Sequence, residues 1–170
     1  MRCVKLAVIL LAALFVSTSV ICPAPATAAP IQSSAVASGQ LDDDKLRQML
    51  DAMGFEPKAL SKGFLITIKR DAWTTYIQLV ISKDQAKIGL NANLGVVESP
   101  DSITAAQWRS VLAANRDIDP SSFYYDVDQK KLYIHRVMDN RAVTPAYLRT
   151  QIDNFVDNMK STEALWSFTK

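Results

Sequence analysis

Residues Trp73 to Leu94 constrain this chain more than any other stretch. From Trp73 to Ser82, the residues Trp73, Thr75, Ile77, Leu79 and Ile81 occupy every second position. After the polar link Lys83-Asp84-Gln85, the residues Ile88, Leu90, Ala92 and Leu94 repeat the alternation. Successive side chains of a strand point to opposite faces, so two such runs joined by a short link predict an antiparallel hairpin with one dry face. A dry face has to be covered, and the rest of the chain supplies material for covering it.

The N-terminus is set apart by its composition. Arg2 and Lys5 precede an unbroken apolar run from Leu6 to Val16, and Ala26-Thr27-Ala28 supplies small residues where a leader is cut. That three-part pattern predicts a secretory signal peptide over 1–28, and with it an exported protein of the periplasm or cell envelope. An uncleaved anchor is the other reading. A span wants about 20 predominantly apolar residues, and Ser17, Thr18 and Ser19 interrupt this one, so no membrane span is expected after cleavage. Cys22 follows the apolar run, but the bulky Ile21 before it does not suit a lipidation signal.

Cleavage would remove both cysteines, Cys3 and Cys22, so no disulfide would support the fold even where oxidation permits one. It would also take Arg2 and Lys5 from the 19 basic residues, leaving 17 against 17 acidic ones. A neutral chain without a basic block does not fit a nucleic-acid partner. With 49% hydrophobic and 21% charged residues, the composition suits one globular domain held by its core.

Along the chain, residues 29–40 have no period and read as a flexible linker. A domain over 41–160 follows, with a tail at 161–170. Leu46, Met49, Leu50 and Met53 sit at the i, i+3, i+4, i+7 spacing of one helical face. Asp42, Asp43 and Asp44 crowd the N-terminal end of that helix, where carboxylates cap free N–H groups and complement the dipole. The triplet lacks the loop spacing of a cation site. Phe64, Ile66 and Ile68 form the dry side of a strand that precedes Trp73, so three strands run as a meander.

Thr104-Ala-Ala-Gln107 is a capping box, with Ile103 and Trp108 spaced as a hydrophobic staple. It opens a short helix to about Asn115, with an expected buried stripe of Trp108, Val111 and Leu112. Residues 122–127 and 131–138 predict a second hairpin. Thr144-Pro145 starts the last helix, whose stripe is Leu148, Ile152, Phe155, Val156 and Met159. Trp166 and Phe168 in the tail are expected to pack, on their own domain or on a neighbouring chain. The order is α-β-β-β-α-β-β-α: an α+β domain with an antiparallel sheet of about five strands and helices on one face.

No reactive constellation emerges. Nucleophilic catalysis needs a nucleophile with a positioned base, and the only histidine, His135, lies mid-strand. One histidine and no cysteine beyond residue 28 cannot make a structural zinc site. Gly89 and Gly95 are isolated within a strand, where glycine marks a bulge or close packing, and make no phosphate loop. Asp126 and Asp128 flank a turn as solvated residues. The reading is therefore no enzyme, no metal and no cofactor.

The reverse of the sheet is more informative. It should carry Thr67, Thr74, Tyr76, Gln78, Val80, Asn91 and Asn93, with Tyr124, Tyr133 and His135 from the second hairpin. Tyrosine offers large contact area with a polar handle, a feature of protein-binding surfaces. A plain wetted face is the competing reading. The candidate partner-binding residues are Tyr76, Gln78, Asn91, Asn93, Tyr124, Tyr133 and His135.

The element order, Met53-Gly54-Phe55 closing the first helix, the Tyr76-Ile-Gln-Leu-Val-Ile81 strand, the capped helix from Thr104 and the last helix after Thr144-Pro145 span residues 41–160. Together they resemble the type III secretion chaperone-like fold and the YbjN-type sensory transduction regulators that share it. The resemblance implies an α+β sandwich that often dimerises and binds other polypeptides without a cofactor. It departs from the secretion chaperones in being exported and neutral, where they are cytoplasmic and often acidic. The expectation is an exported binding module, chaperone-like or regulatory, holding a protein or peptide partner and able to form a homodimer. Apolar burial and edge-strand pairing would hold that partner. Two alternatives stand beside it. One is a small envelope ligand carrier or enzyme, with His135, Tyr133 or Tyr124 facing a pocket between sheet and helices. The other is an assembly subunit docked through its tail.

Overall fold

A computed structural model of the chain describes residues 39–169; the expected leader at 1–28 and most of the linker at 29–40 lie outside the described residues. Helix α1 (Asp43–Ala52) leads into strands β1 (Lys58–Ala59), β2 (Phe64–Arg70), β3 (Trp73–Ile81) and β4 (Lys87–Val96). Helix α2 (Ala105–Ala114), strands β5 (Ser121–Asp126) and β6 (Lys131–Asp139) and helix α3 (Pro145–Ser161) follow, and a short 3-10 turn, Glu163–Trp166, ends the chain. The six strands form one antiparallel sheet in the order β1-β2-β3-β4-β6-β5. The sixth strand is β1, which pairs only Lys58 with Leu65 and Ala59 with Phe64. Two exposed residues carry no alternation, so the sequence shows five strands where the fold has six.

The expected hairpin forms in the expected register, with Leu79 opposite Leu90 and Ile81 opposite Ile88. Phe64, Ile66 and Ile68 of β2, Ile77 and Leu79 of β3, Ile88 to Leu94 at every second position of β4, and Leu132, Ile134 and Met138 of β6 are all buried. They share one core with Leu46, Met49 and Leu50 of α1, Val111 and Ala114 of α2, and the whole predicted stripe of α3. Burying each such aliphatic side chain contributes roughly 1.5–3 kcal/mol, so this layer holds the fold. Arg70, at the end of β2, fastens α3 by donating to Asp153 and Asp157, each at 2.6 Å and one helical turn apart.

The capping signals act as read. Asp42 accepts from the Lys45 N–H at 2.9 Å, and both reciprocal bonds of the Thr104–Gln107 box are present. One expected stripe fails: Leu112 is 61% exposed. Helix α2 lies beside the edge strand β5 and reaches its neighbours through Trp108, which packs on Tyr125 and Phe168 at 5.5 and 5.6 Å. Its buried arc is narrow, and Leu112 falls outside it. The tail packs on its own domain. Trp166 and Phe168 rest on the core, and the Thr169 hydroxyl donates to the Leu94 carbonyl at 2.7 Å.

Three polar residues matter to this framework without being visible beforehand. Asn140 is wholly buried; its amide donates to the Leu41 and Gln85 carbonyls and accepts from the Leu41 N–H, tying the start of the domain to the β3–β4 turn. The Asn115 side chain accepts from the Phe123 N–H at 2.7 Å and donates to its carbonyl at 3.4 Å. It thereby stands where a further strand would pair with β5. Arg136 faces the core between Ile134 and Met138 at 5% exposure, with no carboxylate within ion-pair reach among the described residues and no acceptor for its Nε. Burial lowers its pKa from the usual guanidinium value.

Candidate binding face

The residues that alternate with the core positions form the opposite, uncovered face of the sheet. Strand register sets them in rows across the strands. One row runs Leu65, Gln78, Asn91, His135, Ser122. A second holds Asn93, Tyr133 and Tyr124, and a third holds Val80, Gly89 and Val137. All seven candidate residues therefore lie on this one face, with Tyr76 two positions before Gln78 and 58% exposed. Tyr124, at the β5 edge, also borders a groove beside helix α2. Of the three residues that a ligand carrier or enzyme would turn toward a pocket between sheet and helices, His135 and Tyr133 lie on the uncovered face, and Tyr124 alone also borders that groove.

The aromatic cluster is preorganised. Tyr124 and Tyr133 stack with ring centroids 5.1 Å apart and planes inclined by 9°, and His135 leans on Tyr124 at 5.2 Å. The Tyr133 hydroxyl donates to Gln129 Oε1 at 3.0 Å, and Asp126 holds Gln129 through its backbone and side-chain nitrogens. Burial raises the pKa of both phenols, helped at Tyr124 by Tyr133 and Asp126 and at Tyr133 by Asp126. Both tyrosines thus stay neutral donors well past physiological pH. Gln78 donates to the Lys62 carbonyl at 2.8 Å, and Asn93 accepts from the Gly95 N–H at 3.0 Å. Asn91 makes no side-chain hydrogen bond among the described residues and is free to bond a partner.

The three rows contain no charged residue. Charge lies at the ends of the strands, where Asp139 pairs with Arg141 at 2.7 Å and Lys87 at 3.7 Å. The hydrogen bond from Arg141, followed by the nearby cations, holds the Asp139 carboxyl below its usual pKa. Among the described residues no three His, Cys, Asp or Glu side chains are placed to hold a metal ion, and no helix is long and apolar enough to cross a membrane.

A second apolar surface was not foreseen. Trp108, Val111, Leu112, Phe123, Tyr124, Tyr125 and Leu132 line an open groove of about 240 Å³ between α2 and β5. Only the misplaced Leu112 hinted at it. Pairing at the β5 edge, part of the expected capture mode, is blocked where Asn115 occupies Phe123 and the Ile118 carbonyl takes the Ser121 N–H. The β1 edge, with Lys58 and Ala59 exposed, has no such guard.

No family model and no curated protein matches this chain. Solved structures do. The ExsC–ExsE complex aligns with a TM-score of 0.54 at 14% identity, over 73% of this chain and 95% of that one. YbjN from E. coli aligns at 0.53 and 13% identity, over 77% and 93%. The heterodimeric ExoU–SpcU complex of the Pseudomonas aeruginosa type III secretion system aligns at 0.52 and 12% identity, over 74% and 98%. At these identities the likeness is one of fold. The chain has the type III secretion chaperone-like fold that YbjN shares.

Proposed function

We propose that this protein is an exported, non-enzymatic binding module, chaperone-like or regulatory, that holds a protein or peptide partner against the uncovered face of its sheet. The observation carrying this is the face itself: uncharged rows of amides around a stacked Tyr124–Tyr133–His135 cluster, left bare by helices that all sit on the other side. Large, pre-stacked aromatic area with neutral donors is the composition of a protein-binding surface. The fold likeness supports the same reading, because two of the solved structures that share the fold are complexes with a second polypeptide. Export to the periplasm or envelope rests on the basic, apolar and small-residue order of 1–28. Self-association has a surface available in the α2–β5 groove, where Leu112 is exposed.

Photo-cross-linking in the cell tests the reading. A benzophenone side chain placed at Tyr76, Gln78 or Tyr133 should give one discrete adduct, and the same probe at Arg47 on α1 should give none. Adducts of equal yield from all four positions would refute a face-specific partner. N-terminal sequencing of the processed chain tests export, with Ala29 the expected first residue. Mass measurement in solution tests the dimer.

A further inference from the structure

The row Val80, Gly89, Val137 has a gap at its centre. Gly89 lies in the interior of β4, between a neighbour strand on either side, where a missing side chain weakens the sheet. Neither ordinary reason for a glycine applies. Gly95, at the register shift of the same strand, has φ +137°, which favours glycine; Gly89 is not among the positive-φ residues. At Gly63 an added Cβ would sit 1.9 Å from the Leu79 carbonyl oxygen. At Gly89 it would sit 3.6 Å from Asn91 Nδ2 and 3.8 Å from the Val80 carbonyl oxygen, which is ordinary contact. A side chain fits there, and none is present.

We propose that this notch seats one uncharged aliphatic side chain of an extended polypeptide lying on the uncovered face. The inference rests on the function proposed above and adds the chemistry of the occupant. Val80 and Val137 supply aliphatic walls, Val137 being 48% exposed, and the backbone of β4 is the floor. Charge complementarity selects a neutral group. The row of Val80, Gly89 and Val137 itself carries no charge to receive a lysine or a glutamate, and the strand-end cations Lys87 and Arg141 are both engaged with the single carboxylate of Asp139. Asn91, whose amide borders the gap, is placed to bond the main chain beside the seated side chain. Val80 also borders an open groove of about 550 Å³ toward the β1–β2 turn, whose lining includes the charged Asp43, Lys62 and Lys83 as well as Leu60 and Phe64, so the neutral seat is confined to the row itself.

Blocked heptapeptides Gly-Ser-Asn-X-Asn-Ser-Gly, with X as Leu, Gly, Lys or Glu, are titrated at millimolar concentration into methyl-labelled protein. The X = Leu peptide should shift the Val80 and Val137 methyl signals, with the other three at least tenfold weaker. Gly89→Val should abolish that shift while its melting temperature stays level or rises, since β-branched residues suit strands. Should Gly89→Val not fold, Gly89→Ala, whose added atom makes only ordinary contacts, should weaken the Leu peptide. If all four peptides move the Tyr124, Tyr133 and His135 signals alike and Gly89→Val changes nothing, the notch is refuted and the binding face survives. If no peptide moves any signal on this face, both fail.

Discussion

On the covered face of the sheet Ile66, Ile77, Leu79, Ile88, Leu90 and Ile134 are wholly out of solvent. The residues beside them in the same strands, on the reverse, are Thr67, Tyr76, Gln78, Gly89, Asn91 and His135. One set is fixed by the need to exclude water. The other is released from that need, because the sheet and its helices already make a complete core without it. A face that contributes little to folding and still carries a preorganised aromatic cluster and an unfilled gap is where binding has room to be built.

The sharpest way to break this comparison is to truncate neighbours in one strand. Ile77→Ala should cost about 2–5 kcal/mol in denaturant unfolding, as buried aliphatic deletions do. Tyr76→Ala and Gln78→Ala, one residue to either side, should stay within about 0.5 kcal/mol. Comparable losses at all three would show that both faces hold the fold. Asn140→Ala should come next, at about 1–3 kcal/mol, because it strands the buried Leu41 N–H and carbonyl.

Arg136 sharpens the comparison by being an exception on the covered side. Its guanidinium is buried without a counter-ion, so Arg136→Leu should leave stability unchanged or raise it by about 1 kcal/mol. A loss of several kcal/mol would mean that the arginine is better partnered than its surroundings indicate. Smallest is a pH effect at the strand ends. Asp139 has a folded pKa below its unfolded one, so its contribution is present above the ordinary carboxylate range near pH 4 and is lost as pH falls through the folded value. Asp139→Asn should flatten that part of the acid-stability curve and leave the curve above pH 6 unchanged.

Where one rule governed a residue, its role was legible in advance. Period-two alternation placed both faces of β2, β3 and β4, helical period placed the α3 stripe, and local cap chemistry placed the starts of all three helices. The seven candidate residues followed from the same alternation. Residues answering to distant partners were not legible. Asn140 bonds across 99 positions to Leu41, and nothing near it in the chain announces that bond. Arg136 obeys the alternation that buries its neighbours, yet its charge argued for solvent. Leu112 matched a helical stripe, but how much of a stripe is buried depends on where the helix sits, and α2 sits at an edge. Strand β1 is too short to carry any period.

Hydroxyl-radical footprinting of tyrosines in the living cell and on the purified protein tests the binding face most directly. Tyr76 and Tyr124 on the uncovered face are 58% and 38% exposed, and Tyr147 on α3 is 43% exposed, an internal control of similar accessibility. A partner on the sheet face predicts several-fold slower oxidation of Tyr76 and Tyr124 in the cell, with Tyr147 unchanged. Equal oxidation of all three in both settings, or protection of Tyr147 alone, would contradict it.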